Sequence, residues 1–163
     1  MKVIFFNFWH NGDLHLSRGI VRKIMEYVKD VSFTYSHKCS PNVLSDIPNL
    51  TYDPTSILSL TNPHDNLMRT QDSIYINTWY GQQNQRYVNQ YGTTFDCLYS
   101  AFDDTCKNVW DFSLADISKD VREFFPIIDY SKYELTKTNQ WLNNHPEHKI
   151  LIENGLALSN QPR

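Results

Sequence analysis

Long apolar runs are missing from this sequence. No stretch of eighteen apolar residues occurs, so no membrane span is expected. No secretory leader is expected either, because Met1-Lys2 runs straight into Val3-Ile4-Phe5-Phe6 without a signal-peptide pattern. Cysteine is scarce and odd in number. Cys39, Cys97 and Cys106 lack metal-ligand spacing, and Cys97 and Cys106 on one predicted helix cannot pair. Free thiols in a reduced, cytoplasmic setting are therefore expected. Histidine spacing of the HxxxH or HxH kind is absent as well. His10, His37 and His64 could meet only through tertiary folding, so neither a metal nor a cofactor is expected. Excess charge is lacking: the net charge of −3 speaks against a general nucleic-acid or anionic-membrane binder. Internal repeats and low-complexity segments are not seen. What remains is 163 residues, enough for one domain with a real core, and an aromatic content of 14% to fill it.

The first thirty residues carry most of the information. Val3-Ile4-Phe5-Phe6-Asn7-Phe8 has no polar alternation, which predicts a strand buried on both faces, as central parallel strands are. A polar turn follows, Trp9-His10-Asn11-Gly12-Asp13-Leu14-His15-Leu16-Ser17-Arg18. Ile20, Ile24 and Val28 then form a helical stripe widened by Val21 and Met25, while Arg22, Lys23, Glu26 and Lys29 should face water. Asn11 or Asp13 can cap this helix by accepting a backbone N–H, and the first-turn N–H groups of Leu14 to Leu16 form an anion site with Arg18. Strand, Gly-containing turn and helix open many nucleotide- or sugar-handling α/β domains, whose ligands sit at the carboxyl ends of the strands.

Further strands are predicted over Val31–Tyr35, Leu50–Tyr52, Ser73–Asn77 and Lys149–Ile152. Asp53 to Asp72 reads as a long loop. The clearest helix runs through Phe95, Leu98, Tyr99, Phe102, Cys106 and Val109, capped by Thr93 or Thr94. Asp116–Phe125 reads as a shorter helix stopped by Pro126, and Ser131–Asn143 as another, opened by a Ser131/Glu134 capping box. Alternating strands and helices predict an α/β fold: a three-layer Rossmann-like domain over residues 1–163, with a mainly parallel sheet covered by helices.

Asp13 and His15 are the candidates for proton transfer, placed in one turn where both could line the crevice. Arg18 can reach a phosphate or carboxylate. Asn77, Thr78, Trp79 and Tyr80 end a predicted inner strand and should lie near the first turn. Their aromatic faces suit sugar rings, and Gln82, Gln83 and Asn84 could supply amides for sugar hydroxyls. The bland alternative makes Asp13 a helix cap, His15 and Arg18 ordinary helix residues, and Trp79-Tyr80 the edge of the core.

Strand, then Asn11-Gly12-Asp13-Leu14-His15-Leu16-Ser17-Arg18, then helix resembles the amino-terminal half of two-domain GT-B-type glycosyltransferases, and among them the heptosyltransferase group. There a Gly-Asp turn follows the first strand and its Asp is proposed as the base; in other members a His of this loop has that role. The resemblance implies a sugar or glycan acceptor as partner, with Asp13 or His15 as general base and His10, Asn11, Gly12, Arg18, Asn77, Thr78, Trp79 and Tyr80 around the substrate. A nucleotide sugar would join only where a second, donor-binding domain is present, and the isolated half should transfer nothing. The same turn is similar to the Gly-x-Leu-His-Leu-Gly-His turn of class I aminoacyl-tRNA synthetases, with Ser17 and Arg18 in place of its second Gly and His. That resemblance implies a nucleotidyltransferase-like nucleotide-binding domain with a degenerate turn. A third alternative is a non-catalytic carbohydrate- or partner-binding module.

Overall fold

The computed structural model describes residues 1–60 and 62–132, with residues 140, 143 and 144. The chain divides into two compact units, Met1–Ile128 and Asp129–Arg163. In the second, the regular structure described begins with a 3₁₀ turn over Tyr130–Lys132. The expected strand over Lys149–Ile152 and most of the expected helix over Ser131–Asn143 lie outside the described residues.

The first unit is built on five strands: β1 Lys2–Asn7, β2 Ser32–His37, β3 Leu50–Tyr52, β4 Leu67–Arg69 and β5 Ser73–Asn77. Their order across the sheet is β3-β2-β1-β5-β4. Four strands run parallel, and β4 pairs antiparallel with β5 at one edge. The sheet is therefore α/β and mostly parallel, with the apolar β1 at its centre, as the sequence predicts. After β3 the chain crosses to the far side of β1, so a topological switch point lies between β1 and β5.

Two long helices cover one face. α1 spans Asn11–Tyr27, and α4 spans Thr94–Trp110 after the short helices α2 Tyr80–Gln83 and α3 Gln85–Tyr91. Successive strand residues point to opposite faces. Val3 and Phe5 of β1, aligned with Phe33 and Tyr35 of β2 and with Ile74 and Ile76 of β5, join Leu14, Ile20 and Ile24 of α1 and Leu98 and Phe102 of α4 in one core. Phe5 is its hub: its ring lies 5.9 Å from Phe33, 6.3 Å from Tyr35 and 6.4 Å from Phe102. On the other face, Ile4 and Phe6 are buried, and a 3₁₀ turn over Ser56–Ser59 docks there through Ile57 N–H donating to Ser36 Oγ at 2.9 Å. The three layers of a Rossmann-like domain are thus helices, sheet and the connection before β4.

The Asp53–Asp72 segment, expected to be one long loop, contains that 3₁₀ turn and β4. After β5 the chain forms the short helices α2 and α3, so Gln82 and Gln83 are helical and Asn84 caps α3. The expected helix over Asp116–Phe125 is two pieces, α5 Leu114–Ile117 and a 3₁₀ turn Val121–Phe124. It breaks because Ser113 and Asp116 close a capping box around the first piece while Asp120 starts the second by accepting Arg122 N–H. This second piece sits directly on α1. A Cβ on Gly19 would lie 2.2 Å from Phe124 O, so only glycine permits the approach.

Candidate functional site at the carboxyl edge of the sheet

Each parallel strand ends in the same local device. The side chain at the strand end accepts the backbone N–H two residues on: Asn7 Oδ1 from Trp9 at 2.7 Å, His37 Nδ1 from Cys39 at 3.1 Å, Asp53 Oδ1 from Thr55 at 2.7 Å, and Asn77 Oδ1 from Trp79 at 2.9 Å. Asx-type turns of this kind satisfy a backbone donor that has just left the sheet. The loops after β1 and β5 repeat an Asn-x-Trp pattern and leave the sheet at the switch point. They are joined below the surface by Thr78 N–H to Phe6 O at 2.9 Å and Asn7 Nδ2 to Thr78 Oγ1 at 3.2 Å.

Beneath them runs a buried hydroxyl chain. Tyr35 Oη lies 2.5 Å from Thr78 Oγ1 and 3.0 Å from Ser17 Oγ, and Ser17 donates to Leu14 O at 2.9 Å. Ser17 donates to that carbonyl and Thr78 Oγ1 donates to Phe6 O at 3.2 Å, so the Tyr35 hydroxyl is the donor between the two. One buried hydroxyl chain therefore ties β5 through β2 to the first turns of α1. Burial pushes the Tyr35 phenol above its ordinary value, so it stays protonated as a hydrogen-bond donor.

α1 begins earlier than the sequence suggests, and this re-sorts the candidates. His10 is the N-cap residue, Asn11 and Gly12 form an exposed first turn, and Asp13 is the third helical residue. Asp13 Oδ2 accepts the His10 N–H at 2.8 Å, the inward half of a capping box. Its Oδ1 has no hydrogen-bond partner among the described residues. His15 is two positions further along the helix. Residues at that spacing do not share a face, so the expectation that Asp13 and His15 work side by side does not hold. His15 senses Arg18 and Asp46 instead; burial and the nearby guanidinium lower its pKa, and its Nδ1 is buried without a partner among the described residues.

Arg18 is corrected more sharply. Only 3% exposed, it donates from Nη1 to Asp46 Oδ1 at 2.5 Å and from Nη2 to Val43 O. This buried pair clamps α1 to the β2–β3 connection and leaves the guanidinium unable to serve an incoming phosphate. The expected anion site over Leu14 to Leu16 is also occupied from within, because Leu14 N–H already goes to His10 O. Asn77 and Tyr80 have internal partners as well. Asn77 Nδ2 donates to Gln83 Oε1 at 2.9 Å, and Tyr80 Oη accepts from Asn84 Nδ2 at 2.6 Å while its ring joins a small cluster with Tyr87. Thr78 is fully buried in the hydroxyl chain.

What faces outward is a smaller set: Trp9 at 43% exposure, His10, Asn11, Gly12, Asp13 and the half-buried Trp79. Cys39 joins them from the end of β2, its thiol donating to Trp9 O at 3.1 Å. Burial and the Asp13 carboxylate raise the Cys39 pKa, so it rests as a thiol rather than a nucleophilic thiolate. Asn7, His37 and Cys39 were not among the sequence candidates. Their only sequence signal is position, at or just after the end of an apolar run. Beside this edge a cavity of about 190 Å³ opens among Tyr35, His37, Leu44 and Tyr52. Among the described residues no group of three or more His, Cys, Asp or Glu side chains converges, and no helix is long and apolar enough to cross a membrane.

Fold and site edge together define a Rossmann-like α/β domain with an aromatic, singly acidic rim at its switch point. Comparison of the chain with protein-family models, curated proteins and solved structures gives no significant match.

Proposed function

We propose that this domain binds a sugar or glycan acceptor at the switch-point rim, with Asp13 as the general base of a glycosyl transfer. The observation that carries the proposal is the placement of Asp13: its carboxylate sits at the head of α1, one oxygen held by the His10 N–H and the other without a partner among the described residues, four residues after exposed Trp9 in the same strand-to-helix turn. An indole face packs against the C–H face of a sugar ring, and an oriented carboxylate oxygen can accept a hydroxyl proton as that hydroxyl attacks. His15, on another face of the helix, falls behind Asp13 as the base. The transfer would also need a nucleotide-sugar donor held by a second domain.

A non-catalytic carbohydrate-binding role is the second reading, favoured by the use of Asp13 as a helix cap. The nucleotidyl-transfer alternative has less support, since Arg18 is committed to Asp46. The test is saturation-transfer NMR on the chain with a panel of hexoses and heptoses. The proposal expects binding that is lost in Trp9→Ala. Absence of saturation transfer from any sugar at millimolar concentration would sink both carbohydrate readings. Sugar binding by a full-length wild-type protein that shows no transferase activity would select the non-catalytic one.

A further inference from the structure

A second, larger cavity lies at the other end of the sheet. About 490 Å³ in volume, it opens between the last turns of α1, the start of β2 and the approach to β3. That volume is within the range of small-molecule sites. Met25, Val28, Val31 and Phe33 give it an apolar floor, with Arg22 and Asp30 among the residues around it.

The charged groups here fall into two kinds. Lys29 Nζ donates to Glu26 O, and Glu26 pairs with Lys23 at 3.7 Å, so these are internally matched. Arg22 and Asp30 are not. Arg18 pairs with Asp46, Arg69 with Asn108, Arg86 with Asp104 and Arg122 with Asp120. Arg22 alone of the arginines among the described residues has neither an ion pair nor a hydrogen bond, and Asp30 is equally without a partner there. Two opposite charges, half-buried Arg22 and exposed Asp30, line one cavity of mixed polar and apolar walls and do not pair with each other. The backbone at Asp30 is left-handed, φ 61°, as it is at Asn49, φ 62°, another residue of the lining. Asp and Asn are among the residue types that accept this conformation.

We propose that this cavity binds an apolar α-amino acid, or an equivalent small amphipathic zwitterion. The apolar side chain lies on the Met25, Val28, Val31 and Phe33 floor. The carboxylate meets the Arg22 guanidinium, which can bind it through two N–H groups. The ammonium meets Asp30. A ligand of one charge would leave one of the two groups unmatched, and a polar ligand would waste the floor.

The experiment is an amide NMR titration of the full chain with L-leucine, N-acetyl-L-leucine and L-leucine methyl ester. Leucine should give saturable shifts at Val31 and Asn49. The acetylated form, lacking the ammonium, and the ester, lacking the carboxylate, should each bind at least about tenfold more weakly. Arg22→Gln and Asp30→Asn, the second compatible with the left-handed backbone, should each weaken leucine binding by about tenfold or more. Unchanged amide positions at Trp79 would show that the variants are folded. Absence of shifts at tens of millimolar leucine, equal binding of the three ligands, or wild-type affinity in either variant would overturn the proposal.

Discussion

Asp13 can serve α1 as a cap and a bound hydroxyl as a base, and one substitution separates the two. Asp13→Asn keeps an oxygen for the His10 N–H, so thermal stability should change by no more than about 0.5 kcal/mol, whereas Asp13→Ala should cost about 1 kcal/mol. In a complete transferase Asp13→Asn should lower turnover by about a hundredfold or more, read by a sugar-transfer assay. Unaltered turnover would leave Asp13 as a cap only. His37 offers a second test at this scale. Burial holds its pKa at about 4, below the ordinary 6.5. Between those values the unfolded chain takes up a proton that the folded chain refuses. Stability is thus complete above pH 6.5 and declines as pH falls towards 4, by about 3 kcal/mol at the end of that window. His37→Asn keeps a turn acceptor, as Asn7 and Asn77 do, without titrating. Denaturant midpoints measured from pH 7 to pH 4.5 should therefore fall less in the variant. Asp53, whose pKa is held low by hydrogen bonds from Ser56 and Thr55, adds its own loss only below about pH 3.8, where the unfolded carboxyl protonates.

At the scale of elements, α1 shows which parts of a sequence announce themselves. Its stripe and the apolar β1 before it were legible because periodicity reports burial directly. Its first turn was not. Asn11-Gly12 looks like a loop, yet helical first turns tolerate such residues because their N–H groups need no internal partner. That shift of a few residues moved Asp13 and His15 onto different faces. Arg18 was illegible for another reason: its partner Asp46 is 28 residues away and nothing local points to it. The short α2 and α3, rich in Gln, Asn and Tyr, lack the apolar stripe that made α4 plain. The clamp and the close helix contact both lend themselves to measurement. Asp46→Ala leaves the Arg18 charge buried and should cost about 3–5 kcal/mol in chemical denaturation. Gly19→Ala forces the Phe124 segment away from α1 and should lower the melting temperature, although alanine favours helix. A melting temperature at or above wild type would show that this segment does not need its close contact.

For the whole molecule, the mostly parallel sheet and its central strand followed from alternation of strand and helix signals. The antiparallel edge did not, because β4 is three residues long and carries no pattern. Both edges of the sheet, β3 and β4, are this short. Short edges offer little backbone for another chain to pair with. Phe5, where three aromatic contacts meet, anchors the assembly; Phe5→Ala should cost about 3–5 kcal/mol, measured by urea denaturation. The strand-end turns have a different kind of consequence. Because Asn7, His37, Asp53 and Asn77 each close their own turn within two residues, the chain is locally anchored before each rim loop departs. The rim can then vary in sequence without loosening the sheet below. Such a domain is a scaffold on which binding preference can be rewritten loop by loop, by evolution or by grafting, while its interior stays constant.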